Sequence, residues 1–296
     1  NSAQTDKLEN EVILENPERT DLLNALKISG RTDKNLGVGF FNAVTKTTHS
    51  VYKDTLSGAV RKKVTEPLSN YNILVLDQQF NQNSSITLIN TNVTRDGQFR
   101  DGNVTGFLFD IFNKANSYNF TGEAKMSNVN LPTKNKTGAA AALGISRTKG
   151  KVRFDANYEF ANETYDINDL GLNFINNYNN FYWNVSYRIF EPTKAFNDMR
   201  LEIFGRHERR YKPNVALRTG VATSFFAVTK ERFGFGGAAF LNSNEKDYFE
   251  PRKAGSYVIY NENYAVNAFI SSDYRKTFAI DVRTEYQGYI NSEQEE

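Results

Sequence analysis

Hydrophobic and polar positions alternate with a period of two along much of this chain. In Lys151–Phe160, the residues Val152, Phe154, Ala156, Tyr158 and Phe160 fall on one side. Lys151, Arg153, Asp155, Asn157 and Glu159 fall on the other. Phe181–Ile189 sets Phe181, Trp183, Val185, Tyr187 and Ile189 against Asn184, Ser186 and Arg188. Thr277–Gln287 opposes Phe278, Ile280, Val282 and Tyr286 to Asp281, Arg283, Glu285 and Gln287, and Tyr118–Met126 follows the same design. Successive strand side chains point to opposite faces, so each run predicts a β-strand with one apolar and one polar face.

Short polar segments separate the runs in pairs. They are Asp33–Asn35, Asn81–Asn83, Lys114–Ser117, Thr148–Gly150, Tyr178–Asn180, Lys230–Glu231 and Arg275–Lys276. Asn, Gly and Asp between alternating runs are hairpin signals. Longer polar stretches lie between the pairs, at Thr48–Asn70, Asn128–Thr137, Glu163–Gly171 and Asn242–Asn263. Strands of roughly 9–12 residues, with short turns and long loops in alternation, match transmembrane barrels, whereas sandwich strands average roughly 5–6. The expected fold is all-β, an antiparallel transmembrane β-barrel with about fourteen strands in this segment. Residues 1–24 read as a loop or linker, 25–290 as the barrel segment, and 291–296 as the start of a further loop. Seven turns inside pairs place both ends of the segment on the long-loop side, so the expectation is a piece of a larger barrel.

Period two also assigns the faces. Phe154, Tyr158, Trp183, Val185, Phe278 and Ile280 are expected to face lipid, and Arg153, Arg188, Asp281, Arg283 and Glu285 to face the lumen.

Composition narrows the alternatives. Thirty-six Lys and Arg against 34 Asp and Glu leave a net charge of +2, which argues against a nucleic-acid partner. The absence of cysteine removes thiolate metal sites and Cys nucleophiles. With two histidines, His49 and His207, a His-rich metal centre is not expected. Twenty-three Phe and 16 Tyr do not fit a disordered chain. The longest apolar runs, such as Ile73–Leu76 and Ala139–Leu143, fall far short of the ~20 residues of a membrane helix.

Candidate chemistry is sparse. Glu66-Pro67, Glu191-Pro192 and Glu250-Pro251 sit at strand-to-loop borders. Glu66, Glu191 and Glu250 could form a carboxylate rim at a barrel mouth, although Pro also ends strands simply because it lacks an N–H. Asp166, Asn168 and Asp169 offer alternating oxygens in one loop, as a calcium site does. The same residues are common turn formers, and the bidentate twelfth-position Glu of an EF-hand is missing. His207 shares the parity of Leu201 and Ile203, and no spacing pins a Ser or acid to it. The Asn-x-Ser/Thr sequons at Asn92, Asn103, Asn162 and Asn184 fall partly within predicted strands, where glycosylation is awkward. Phe233-Gly234-Phe235-Gly236-Gly237 lacks the strand-to-helix setting of a phosphate loop.

Several segments together resemble a known family. They are Lys27–Thr32, Leu36–Thr45, Glu66–Tyr71 running into Val75–Gln78, Ile89–Gly97, Tyr165–Gly171, Phe249–Arg252 and Ile270–Arg275. Together they are similar to the barrel domain of unknown function 5916 of Bacteroidota surface proteins, over about Leu22 to Tyr289. The resemblance implies a bacterial outer-membrane location and a barrel usually preceded by a family-9-like carbohydrate-binding module. It transfers no catalytic residue and no cofactor. The leading expectation is a non-enzymatic outer-membrane barrel for surface binding, uptake or anchoring, linked to glycans. Its partners would be outer-membrane lipid, glycan and other outer-membrane proteins. The alternatives are an outer-membrane hydrolase with a rim carboxylate site and a barrel subunit of a larger surface machine.

Overall fold

The computed structural model describes residues 6–253 and 255–290. Among these the chain forms nineteen β-strands and no helix. The first five are β1 (Glu11–Glu15), β2 (Leu22–Arg31), β3 (Leu36–Thr45), β4 (Thr48–Asp54) and β5 (Val60–Glu66). Then come β6 (Ser69–Phe80), β7 (Ser84–Arg95), β8 (Asp101–Phe112), β9 (Tyr118–Asn130) and β10 (Asn135–Arg147). They are followed by β11 (Val152–Ala161), β12 (Tyr178–Arg188), β13 (Phe196–Arg210), β14 (Val215–Thr229) and β15 (Gly234–Asn242). The last four are β16 (Glu245–Asp247), β17 (Val258–Tyr260), β18 (Asn263–Ser271) and β19 (Asp281–Tyr289).

Fourteen of these strands form one antiparallel sheet, in the order β19-β18-β15-β14-β13-β12-β11-β10-β9-β8-β7-β6-β3-β2. The sheet is open, with β2 and β19 at its edges. Local chemistry explains its tight turns. Asn35, Asn81, Gln82 and Asn116 take positive φ, as does Gly150 at 91°. Asn tolerates this left-handed region better than most residues, and Gly occupies it without penalty.

Four expectations about the elements are corrected. Tyr178–Asn180 lies inside β12, and residues 162–177 form one connection. The apparent strand before Tyr178 is lost because its amides are taken locally, with Asn173 N–H donating to the Asn168 side chain at 2.7 Å. Thr48–Asn70 contains β4 and β5, which pair with β1 in a separate three-stranded sheet. Thus a strand also lies within 1–24. Asn242–Asn263 contains the small β16–β17 hairpin. Phe278 and Ile280 precede β19, in the bend after β18. Residues 291–296 lie outside the described residues.

The chain divides into two compact units. Unit 1 holds residues 1–108, 124–139 and 164–176, and unit 2 holds 109–123, 140–163 and 177–296. In unit 1, burial concentrates on Ser50, Val51 and Tyr52 of β4, on Val93 of β7, and on Ser127 and Val129 of β9. In unit 2 the buried apolar residues are few and mostly small, among them Ala161, Ala222 and Ala227. Most of the exposed large apolar side chains on the strands of unit 2 instead lie on one face of the sheet, while Phe204 and Phe240 are exposed on the other.

Candidate functional site: the two faces and an arginine-clamped loop

Residues paired across neighbouring strands share a face, so the register of unit 2 sorts its side chains. Arg153 pairs with Ser186 and Ser186 with Glu202. Glu202 pairs with Ser224, Ser224 with Ala238, Ala238 with Asn267 and Asn267 with Glu285. Two-residue steps along these strands add Asp155, Glu159, Arg188, Arg206, Glu208, Arg218, Asp281 and Arg283 to that face. Arg153, Arg188, Asp281, Arg283 and Glu285 therefore lie on one side of the sheet. The opposite side carries Phe154, Tyr158, Phe181, Trp183, Val185, Ile203, Val221, Val266 and Val282. Tyr158, Phe181, Val185, Ile203, Val221, Val266 and Val282 are exposed.

The charged face is laced by side-chain bonds between strands. Arg218 donates to Glu208 at 2.8 Å and to Glu245 at 3.0 Å. Asn180 donates to Glu159 at 3.0 Å, Asn184 to Glu202 at 2.8 Å, and Arg206 to Asn242 at 3.1 Å. A cavity of ≈ 340 Å³ opens there, lined by Arg147, Arg153, Asp155, Asn184 and Glu202. Aromatics interrupt the polar lining: Phe226 stacks on Phe269 across Gly236, with centroids 6.2 Å apart. Arg153 rests over the Phe190 ring at 4.5 Å. Arg283 and Glu285 approach to only 3.7 Å, and both are well exposed.

In unit 1 one face of the sheet has two zones. Ile28, Val38, Phe40, Leu74 and Leu88 expose an apolar zone. Further along the same face the strands change to amides. Asn42 donates to Asn70 at 2.7 Å and to Asn72 at 2.8 Å, and Asn90 donates to Thr105 at 2.8 Å. Asn103 continues the row by donating to Asn90 at 3.3 Å. This ladder was legible as Asn70-x-Asn72 and Asn90-x-Asn92, the spacing that puts like residues on one face of a strand.

The calcium candidates Asp166 and Asp169 sit in the 162–177 connection, and arginines engage their carboxylates. Arg100 grips Asp166 through two bonds, of 2.9 and 2.8 Å, and reaches Asp169 at 2.9 and 3.0 Å. Arg95, the last residue of β7, binds the other Asp169 oxygen at 2.8 Å. Asn168 turns its side chain to the Asn173 amide and gives its own N–H to Asp166. The oxygens that suggested a cation site thus meet two guanidinium groups. The Asp166 carboxyl is held below its ordinary pKa by the Arg100 bonds, against the opposing effect of burial. The Arg100 guanidinium is raised further by Asp166 and then Asp169.

Close backbone approach lets the loop seat there. A Cβ at Gly102 would fall 2.2 Å from an Asp169 oxygen, and one at Gly138 would fall 2.3 Å from the Tyr165 Cα. Only glycine fits at either point. The buried Ser127 hydroxyl accepts the Asp166 N–H at 3.1 Å, and Asn176 donates to the Tyr165 carbonyl at 3.0 Å. Arg95 and Arg100 stand five residues apart, and nothing in that spacing points to acids more than sixty residues away.

The sequence comparison now adds the family. The match covers residues 1–296 and is to a domain of unknown function, DUF5916. The chain belongs to that family. No curated protein matches it.

The DUF5916 chain does not gather its glutamate–proline pairs into one site. Glu191 lies between β12 and β13, and Glu250 lies between β16 and β17 in the link from β15 to β18. Successive connections of an antiparallel sheet alternate ends, so Glu191 and Glu250 occupy opposite ends of unit 2. Glu66 closes β5 in unit 1. All three are exposed; Glu66 ends β5 beside Pro67, as a strand-terminating Pro requires, whereas Glu191 and Glu250 lie three residues past the ends of β12 and β16, which stop before their prolines. His207 stands on the apolar face of β13, with Nδ1 2.7 Å from the Thr219 hydroxyl. His49 lies in β4.

Proposed function

We propose that this chain is a membrane-embedded segment of a larger outer-membrane β-barrel, non-enzymatic, serving surface binding, uptake or anchoring. The observation that carries the reading is the two-faced sheet of unit 2, with exposed Val, Ile, Phe and Tyr behind a cross-strand ladder of charges. Water does not accommodate an apolar face of that continuity, whereas a bilayer does. Hydrocarbon also does not tolerate unpaired backbone at a sheet edge, so further strands pair β2 and β19. On this reading the polar face of unit 2 lines the lumen. Glycan is the ligand class the family's usual module suggests, and lipid is the obligatory partner. The hydrolase alternative needs carboxylates brought to one place, and Glu191 and Glu250 lie at opposite ends of their unit.

The test uses Trp183, the single tryptophan, on the apolar face. The full-length protein, with any tryptophan outside this segment changed to Phe, is folded into vesicles and its fluorescence is challenged with quenchers on the acyl chains and, separately, with iodide. Strong acyl-chain quenching and weak iodide quenching are expected. The reverse pattern would refute membrane embedding. Planar-bilayer conductance then separates an open pore from an ion-tight anchor.

A further inference from the structure

The apolar face of unit 2 changes character abruptly on β13. Leu201, Ile203 and Gly205 are followed, on the same face, by His207 and Arg209. His207 pairs with Phe181 and Arg209 with Asn179 on β12, and His207 pairs with Thr219 on β14. Phe181 and Tyr158 lie beside the change, and Phe160 packs edge-on to Tyr211 at 4.8 Å. An aromatic row of this kind belongs at the depth where acyl chains give way to headgroups.

Arg209 is held in place by an amide and an imidazole. Its Nε and Nη2 donate to the Asn214 side-chain oxygen at 3.0 and 2.7 Å, and Nη1 lies 3.4 Å from His207 Nε2. Among the described residues it has no carboxylate within ion-pair distance. The neighbouring acids are committed elsewhere: Glu208 on the other face binds Arg218, and Glu163 binds Lys212. The guanidinium is therefore pre-oriented, faces no carboxylate, and retains N–H donors on both terminal nitrogens. A planar donor fork at a lipid boundary matches the tetrahedral oxygens of a phosphate.

We infer that Arg209, positioned by Asn214 and His207, binds the phosphate of an anionic lipid headgroup against the apolar face of β12–β14. The inference rests on the membrane reading and adds a specific lipid site to it. The test is electron spin resonance of the full-length protein in phosphatidylcholine vesicles doped with spin-labelled phosphatidic acid or spin-labelled phosphatidylcholine. The motionally restricted fraction gives the relative association of each lipid. Wild type is expected to prefer phosphatidic acid, and Arg209→Gln to reduce that preference about fivefold, the effect of one cation near a membrane surface. Asn214→Ala should reduce it less. Arg283→Gln, on the opposite face, should leave it unchanged.

Resistance of each variant to cold detergent denaturation reports folding, and Arg209→Lys, which retains charge but not the fork, supplies a folded intermediate case. An unchanged preference in folded Arg209→Gln would overturn the inference. So would a preference removed by millimolar inorganic phosphate, because the site would then serve free phosphate. Absence of any restricted lipid would sink the membrane reading itself, an outcome distinct from restricted lipid without selectivity.

Discussion

Removing the Arg100 side chain is the sharpest perturbation of the clamped loop. Arg100→Ala deletes four hydrogen bonds to two carboxylates, two to Asp166 and two to Asp169. Arg95 still holds Asp169, which is only 10% exposed, so that acid keeps a partner. Asp166 is 25% exposed and loses its guanidinium altogether. A charged hydrogen bond contributes about 1.5–3 kcal/mol when shielded, and an exposed ion pair about 0.2–1. Arg100 is itself 34% exposed, which places the whole change near the lower shielded value, about 2 kcal/mol. Such a change raises the detached population of the 162–177 loop by about thirtyfold. Hydrogen–deuterium exchange of the folded chain reads this directly, at the Asp166 and Asn173 amides. Both should exchange faster by about that factor, while amides in β13 and β14 stay protected. Unchanged exchange at Asp166 would refute the clamp. A double-mutant cycle with Asp166→Ala should recover as coupling the part of the loss that comes from the two bonds Arg100 makes to Asp166.

Acid should loosen the same loop. Arg100 depresses the Asp166 pKa in the folded state, so the pairing stabilises above the ordinary aspartate value of about 3.9 and is lost as pH falls through the lower folded value. The protection factor of the Asp166 amide, its exchange rate corrected for the intrinsic pH dependence, should therefore fall below about pH 4, and most of this fall should be absent in Arg100→Ala. On the lipid-directed face, Val185→Arg should cost about 2–4 kcal/mol in bilayers, and Ser224→Arg on the charged face much less. Denaturant titration of vesicle-embedded protein checks this, and equal costs would contradict the facing. Gly205→Val should destabilise by about 1–3 kcal/mol, because a Cβ at Gly205 would lie 2.5 Å from the Trp183 ring. A melting curve unchanged from wild type would show that the indole moves aside freely.

The sequence by itself determined the class of structure and the pairing of side chains with faces. A period of two admits one geometry, and a long antiparallel sheet follows from alternating runs and polar turns, although one of the seven expected turns, Tyr178–Asn180, falls inside β12. It misjudged elements wherever alternation was incidental or absent. Gly171–Asn177 alternates yet stays a loop, because Asn168 and Asn173 capture its amides locally. The β4–β5 hairpin hid in a polar stretch because its strands are short and Val60–Glu66 is rich in Lys and Arg. The clamp was decided by tertiary structure alone. Asp166 and Asp169 look like cation ligands or turn formers in a linear reading, and only folding brings Arg95 and Arg100 to them across more than sixty residues. Glu191 and Glu250 show the converse. Identical dipeptides invited a common site, and strand direction sent them to opposite ends of the sheet, since local chemistry fixes how a strand ends but not at which end it stands.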